Sequence, residues 1–213
     1  MNLTQFISIV RPYTMTSVER ITELYHSLEY IRLNNIDGDI VECGVWKGGN
    51  ILGALEYLTY YNILNKNIWL YDTFEGMPEP EDVDVDSNNK KGDIKLDEIR
   101  CYSPLEEVQN NINLSNYPKD KINFIKGDIC ETLNLEKNIP NKISLLRLDT
   151  DWYKSTKKEL EILYPLLEKN GVLIVDDYGH WQGAKKAVDE YFYNKKIQVN
   201  IHKIDYTGIK IIK

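Results

Sequence analysis

Leu145-Leu-Arg-Leu-Asp-Thr-Asp151 and, about one helix later, Gly171-Val-Leu-Ile-Val-Asp-Asp177 decide the fold of this chain. Each is a short apolar run that stops in a pair of acids. Runs of this kind read as strands buried on both faces, the habit of parallel sheets. The acids then stand at the carboxyl ends of the strands, on the rim where open α/β sheets bind their ligands. Carboxylates that converge there repel one another unless a cation lies between them. Oxygen donors alone favour a hard divalent ion, Mg²⁺ first. Asp149, Asp151, Asp176 and Asp177 therefore mark a site of enzymatic type.

The same alternation extends outward from these two runs. Asp39-Ile-Val-Glu-Cys43 reads as a first strand, followed by the Gly-rich turn Val45-Trp-Lys-Gly-Gly49 and a helix over about 50–62. Residues 66–71 form a second strand ending at Asp72, 122–128 a third ending at Asp128, 144–148 a fourth and 172–175 a fifth. Helices are expected over 17–34, capped by Thr16 or Ser17, from Pro104 onward, over 155–168 and over 182–194. The tail, 196–204 and 207–213, reads as a terminal antiparallel hairpin. The sum is an α/β fold: a mostly parallel, seven-stranded sheet with helices on both faces and a C-terminal antiparallel hairpin. Residues 1–16 have weak periodicity and read as an arm or loop. Residues 76–103 carry little apolar content and read as a surface loop or as a lid over a substrate. The 213 residues suit a single domain, 1–213, with 1–34 as its N-terminal arm and helix.

Bulk properties narrow the function classes. The net charge of -7 argues against a nucleic-acid groove, and no apolar run has the length of a membrane span. The start, Met1-Asn-Leu-Thr, lacks the basic and apolar regions of a signal peptide. Cys43, Cys101 and Cys130 show no metal-ligand spacing, so reduced thiols in a cytoplasmic protein are the expectation.

Other residues open two readings each. Glu42-Cys-Gly44-Val-Trp-Lys-Gly48-Gly49-Asn50 is either a purely structural turn or a cofactor loop. It is neither G-x-G-x-x-G nor a phosphate loop, and an acid before the glycine suits a cofactor carrying an amine. Asp72 is a ribose acceptor or a turn acid, and Asp128 flanks an adenine or closes a turn after Gly127. His26 and His202 read as structural, whereas His180 stands near the rim. Trp152, Tyr153, Tyr178 and Trp181 form either an aromatic wall against a sugar or packing beneath the rim.

Glu-x-Gly-Val-Trp-x-Gly-Gly from Glu42, Tyr-Asp-Thr-Phe-Glu-Gly-Met-Pro from Tyr71, Leu-Arg-Leu-Asp-x-Asp from Leu146 and Val-Asp-Asp-Tyr from Val175 occur in that order. This combination resembles the macrocin-type O-methyltransferases, class I enzymes of Rossmann-like fold that use S-adenosylmethionine to methylate sugar hydroxyls. Arg11-Pro-Tyr-Thr-Met-Thr16 and Ala184-Lys-Lys-Ala-Val-Asp-Glu-Tyr191 are similar to family segments too. The resemblance implies that Tyr13, Thr14, Met15, Glu42, Gly44, Asp72, Thr73, Asp128, Ile129 and Asp149 line the cofactor. It implies Mg²⁺ on Asp149, Asp176 and Asp177, with Asp151 as the first candidate base and His180 as the second. The implied acceptor is a sugar-containing small molecule: a glycoside, a nucleotide sugar or a polysaccharide precursor. A homo-oligomer is expected as well. A phenolic or other small acceptor, or a non-catalytic cofactor-binding scaffold in a biosynthetic complex, are the alternatives. Trp152 stands where catechol-type O-methyltransferases carry a catalytic lysine, so a lysine base is not expected.

Overall fold

The computed structural model describes residues 1–92 and 101–213. Its strands are β1 Asp39–Cys43, β2 Ile68–Asp72, β3 Ile122–Lys126, β4 Ile143–Leu148, β5 Leu167–Val175, β6 His202–Lys203 and β7 Ile209–Ile212. They form one seven-stranded sheet in the order β3-β2-β1-β4-β5-β7-β6. The first five strands in that order are parallel, and β7 pairs antiparallel with both β5 and β6. The chain runs outward from β1 through β2 to β3, then returns to lay β4 on the other side of β1. That reversal opens a crevice at the carboxyl ends of β1 and β4, the switch point where such sheets bind ligands.

The helices are α1 Leu3–Val10, α2 Val18–Leu33, α3 Gly49–Tyr60, α4 Leu105–Ile112, the single turn α5 Ile129–Thr132, α6 Tyr153–Ile162 and α7 Gln182–Lys195. Side chains alternate across a strand with period two, so each strand feeds both layers. Ile40, Ile68, Leu70, Leu145, Val172 and Ile174 pack with α1 to α4. Val41, Cys43, Leu146, Leu148, Leu173 and Val175 pack with α6 and α7.

Three differences from the sequence reading have local causes. The segment 1–16 is mostly helical rather than an arm or loop: Asn2 and Gln5 close a capping box, and Phe6 and Val10, one turn apart, are fully buried. The helix expected to reach Glu168 stops at Ile162, because Pro165 cannot continue it, and β5 begins at Leu167. In the tail hairpin the ladder to the returning strand is confined to His202–Lys203, and Lys196 ends α7 in a left-handed conformation. Part of the expected lid, 93–100, lies outside the described residues. Its first part is seated. Asp84 is fully buried, its Oδ1 accepts the Tyr153 N–H at 2.8 Å, and Gly92 lies against Trp152 and Trp181.

Candidate active site

Arg147 organises the crevice. It sits in β4 directly opposite Glu42 of β1 and Ile174 of β5. Its guanidinium is buried among acids. Nη1 donates to Glu42 Oε1 and to Asp149 Oδ2, both at 2.7 Å. Nη2 donates to Asp176 Oδ1, and to Thr16 Oγ1 at 3.1 Å. Thr16 thereby ties the segment after α1 to the ends of β4 and β5. Arg147 is absent from the expected site residues. Its signal in the sequence is an arginine inside an otherwise apolar strand, two residues before an acid.

The β1 and β4 ends meet closely. Gly44, at φ +78°, leaves no room for a side chain, because a Cβ there would lie 2.1 Å from the Asp149 carbonyl oxygen. Asp72 holds the turn that follows: Oδ2 accepts the N–H of Val45 at 2.7 Å and of Trp46 at 3.2 Å, and Oδ1 that of Phe74 at 2.7 Å. Burial pushes the Asp72 carboxyl up, against the pull of those three amides.

A cavity of about 270 Å³ occupies the crevice. Its wall contains Thr14, Met15, Gly44, Asp72, Thr73, Asp128, Ile129, Asp149, Asp151, Asp176 and Asp177 from the expected set. Tyr13, Glu42 and His180 are not in the wall. Glu42 lies behind it, held through Oε1 by Arg147 and by Asn50 at 3.1 Å, while its Oε2 is buried without a partner among the described residues. Burial, opposed by Arg147, pushes Glu42 up to about 7. The His180 ring is turned onto Trp181 and Tyr206, at centroid distances of 4.7 and 6.1 Å. Trp152 and Trp181 pack edge to face at 4.9 Å and are buried, which is packing beneath the rim rather than an open aromatic wall. Asp128 lines the cavity and also caps α5, accepting the Cys130 N–H at 2.8 Å.

The rim acids differ in their partners. Asp149, Asp151 and Asp177 each offer one oxygen, and these atoms lie within 4.8 Å of one another. Asp151 reaches this position through a left-handed backbone, φ +64°. Asp176, expected beside Asp149 and Asp177 as a ligand, accepts from Arg147 at Oδ1 and from Arg20 at Oδ2. Ile174, two positions earlier, packs in the layer that contains α2, and Asp176 meets Arg20 of that helix. Burial and the neighbouring negative charges push Asp149, Asp151 and Asp177 up. Burial also raises Asp176 to about 7, against Arg147. The donor set fits a hard divalent cation: three carboxylate oxygens converge, and each carries repulsion that a cation would relieve. The wall fits a sulfonium-bearing cofactor in the same way, since Arg20 is the only basic residue among the described residues that line it.

A model of the Macrocin-O-methyltransferase (TylF) family matches residues 10–213. The chain belongs to this family. It is 32% identical over 200 residues to the 8-demethyl-8-(2,3-dimethoxy-alpha-L-rhamnosyl)-tetracenomycin-C 4'-O-methyltransferase of Streptomyces olivaceus, covering 92% of this chain and 74% of that one. It is also 32% identical, over 201 residues with the same coverage, to the demethyldecarbamoylnovobiocin O-methyltransferase of Streptomyces niveus. The structure of the O-methyltransferase NovP superposes with a TM-score of 0.81 at 30% identity, covering 94% of this chain and 82% of the other. This macrocin-family chain is therefore an O-methyltransferase, and its sheet is the class I methyltransferase fold of S-adenosylmethionine-binding enzymes.

Proposed function

We propose that this enzyme transfers the methyl group of S-adenosylmethionine to a hydroxyl of a sugar-containing small molecule, with Mg²⁺ held by Asp149, Asp151 and Asp177. The convergence of these three carboxylates on the wall of the cofactor cavity is the observation that supports the reading most directly. The named activity of one Streptomyces relative, on a rhamnosyl-bearing tetracenomycin, agrees with an acceptor of this class.

The roles follow from position. Gly44 brings the β1 and β4 ends together beneath the cofactor, and Asp72 faces its ribose from the second strand. Thr73 extends that rim, its hydroxyl donating to the Gly76 carbonyl at 2.6 Å. Asp128 and Ile129 lie at the third strand's end, where an adenine would rest. Thr14 and Met15 close the cavity from the N-terminal side. When bound, the ion supplies positive charge that lowers the pKa of an acceptor hydroxyl. Asp151 lines the cavity beside Asp149 and Asp177, so its carboxylate is placed to accept the proton. In the reaction the acceptor oxygen forms a bond to the methyl carbon as the carbon–sulfur bond breaks. The hydroxyl proton passes to the second oxygen of Asp151, and S-adenosylhomocysteine leaves as a neutral thioether. The chain's main contribution is alignment of oxygen, carbon and sulfur.

The test is methyl transfer from S-adenosylmethionine to a panel of deoxysugar glycosides, a nucleotide-linked rhamnose and a catechol. Each is assayed with Mg²⁺ and with chelator, in wild type and Asp151→Asn. Chelator-sensitive methylation of a sugar, lowered about 10²-fold or more by Asp151→Asn, is the expected result. Methylation of the catechol alone would replace the sugar reading, and transfer indifferent to chelator would remove the metal from it.

A further inference from the structure

Asp151 stands in a left-handed backbone, φ +64°, which residues with side chains seldom adopt. The Trp152 N–H donates back to the Thr150 carbonyl at 2.7 Å, so Thr150, Asp151 and Trp152 form a γ-turn of the rare, strained kind. Such a turn persists only where its surroundings over-determine it. Both flanks are fixed here. The Asp149 N–H donates to the Cys43 carbonyl of β1 at 2.8 Å. Trp152 is buried, and its Nε1 donates to the Pro78 carbonyl at 2.9 Å. Between them, Thr150 is gripped at both of its oxygens by α6. The Ser155 hydroxyl, shared with the Trp152 carbonyl at 3.0 Å, reaches the Thr150 carbonyl at 3.3 Å. The Thr150 hydroxyl donates to Glu159 Oε1 at 2.8 Å. Ser155 and Glu159 lie one helical turn apart, on one face of α6. Glu159 is fully buried, and its Oε2 has no partner among the described residues. An apolar side chain would bury there at less cost, so the bond to Thr150 is what the carboxyl contributes.

We propose that Glu159 is a positioning residue: through the Thr150 hydroxyl it holds the strained turn that aims the Asp151 carboxylate into the cavity. The consequence for catalysis rests on the reading of Asp151 as proton acceptor. Glu159 is not in the cavity wall, whereas Thr150, Asp151 and Ser155 are, so it acts only through the turn. Without its bond Thr150 loses one of its two grips on α6. Asp151 then relaxes toward negative φ, and its carboxylate swings away from those of Asp149 and Asp177. A displacement of about 1 Å in a reacting group is enough to cost roughly 10²-fold in rate.

The test pairs crystal structures with kinetics on Glu159→Leu, Glu159→Gln, Thr150→Val and Thr150→Ser. Glu159→Gln keeps an oxygen for the Thr150 hydroxyl, and Thr150→Ser keeps the hydroxyl, so both are expected to hold Asp151 at positive φ. Glu159→Leu and Thr150→Val are expected to release it and to carry its oxygen beyond the 4.8 Å that now joins it to Asp149 and Asp177. With the acceptor identified by the panel above, kcat should fall about tenfold or more in these two variants. Affinity for S-adenosylhomocysteine should stay unchanged, and Glu159→Gln and Thr150→Ser should stay near wild type. The double variant Thr150→Val/Glu159→Leu should lose no more than either single one, since both cut the same bond. Thr150→Val carries the test if Glu159→Leu does not fold, and the crystal structures decide the clamp even if no acceptor is methylated. Asp151 unmoved in both Thr150→Val and Glu159→Leu overturns the proposal, and so does cofactor affinity lost in step with kcat. A released turn with wild-type kcat leaves the clamp standing and overturns Asp151 as the proton acceptor.

Discussion

At the scale of single residues, the site is a problem in burying charge. Arg147 keeps Glu42, Asp149 and Asp176 tolerable beneath the rim, and Glu42 Oε2 still goes without a partner among the described residues. Arg147→Met leaves those carboxylates facing one another, at a cost of about 3–5 kcal/mol for a broken buried pair. Urea unfolding should show this loss at pH 8 and a smaller one at pH 6, where protonation of Glu42 and Asp176 relieves it. A variant as stable as wild type at pH 8 would mean that the guanidinium is replaceable. The four rim aspartates are legible as a cluster because strand ends are easy to see in an apolar pattern. Which of them face a cation is not legible. Nor are their ion pairs, since Asp176 meets Arg20 of a helix more than 150 positions earlier in the chain.

At the scale of elements, strands and long helices follow their periodicity, and α1 escapes it. A helix of eight residues spans barely two turns, too few to separate its pattern from a loop. Its seat is α3. At Gly49 a Cβ would lie 2.6 Å from the Tyr13 carbonyl oxygen, and at Gly53 a Cβ would lie 2.3 Å from Val10 Cγ2. These two glycines, one helical turn apart, make the groove into which the end of α1 and the turn after it settle. Thr14, Met15 and Thr16 follow directly and form the cavity's N-terminal side. Gly53→Val should cost about 1–3 kcal/mol by overpacking and expose 1–16 to limited proteolysis. S-adenosylhomocysteine affinity should fall with it. Unchanged proteolysis and affinity would show that α1 does not hold the cavity wall. The seating of 76–92 on α6 and α7 through Asp84 and Gly92 is equally hidden in the sequence, because its anchor is one acid in an acidic stretch.

At the scale of the whole molecule, strand order makes the site: the reversal beside β1 places Glu42, Arg147 and the rim acids around one crevice. The number of strands and the parallel run of most of them are readable from the apolar pattern. The β5-β7-β6 order is not, since it results from a short returning hairpin rather than from any residue pattern. Burying so many carboxyls also shapes stability. Glu159, fully buried and bonded to Thr150 at 2.8 Å, is raised to about 8 by burial, and Glu42 and Asp176 to about 7. A carboxyl raised on folding stabilises fully below its unfolded value, and that contribution is lost as pH rises through the folded value. The metal-free protein should therefore lose urea stability between about pH 4 and pH 8. Each such carboxyl takes away up to about 1.4 kcal/mol for every pH unit that separates its folded and unfolded values. Glu159→Gln should flatten the upper part of that profile, and a stability that climbs from pH 5 to pH 8 would contradict the buried-carboxyl account.

The central claim is a division of labour in one crevice, cofactor on Asp72 and metal on the rim acids. Calorimetric titration with S-adenosylhomocysteine, with and without Mg²⁺, tests it on wild type, Asp72→Ala and Asp177→Asn. The account predicts one cofactor per wild-type chain, binding lost in Asp72→Ala, and binding largely kept in Asp177→Asn. Equal loss in both variants, or no binding by wild type, would contradict it.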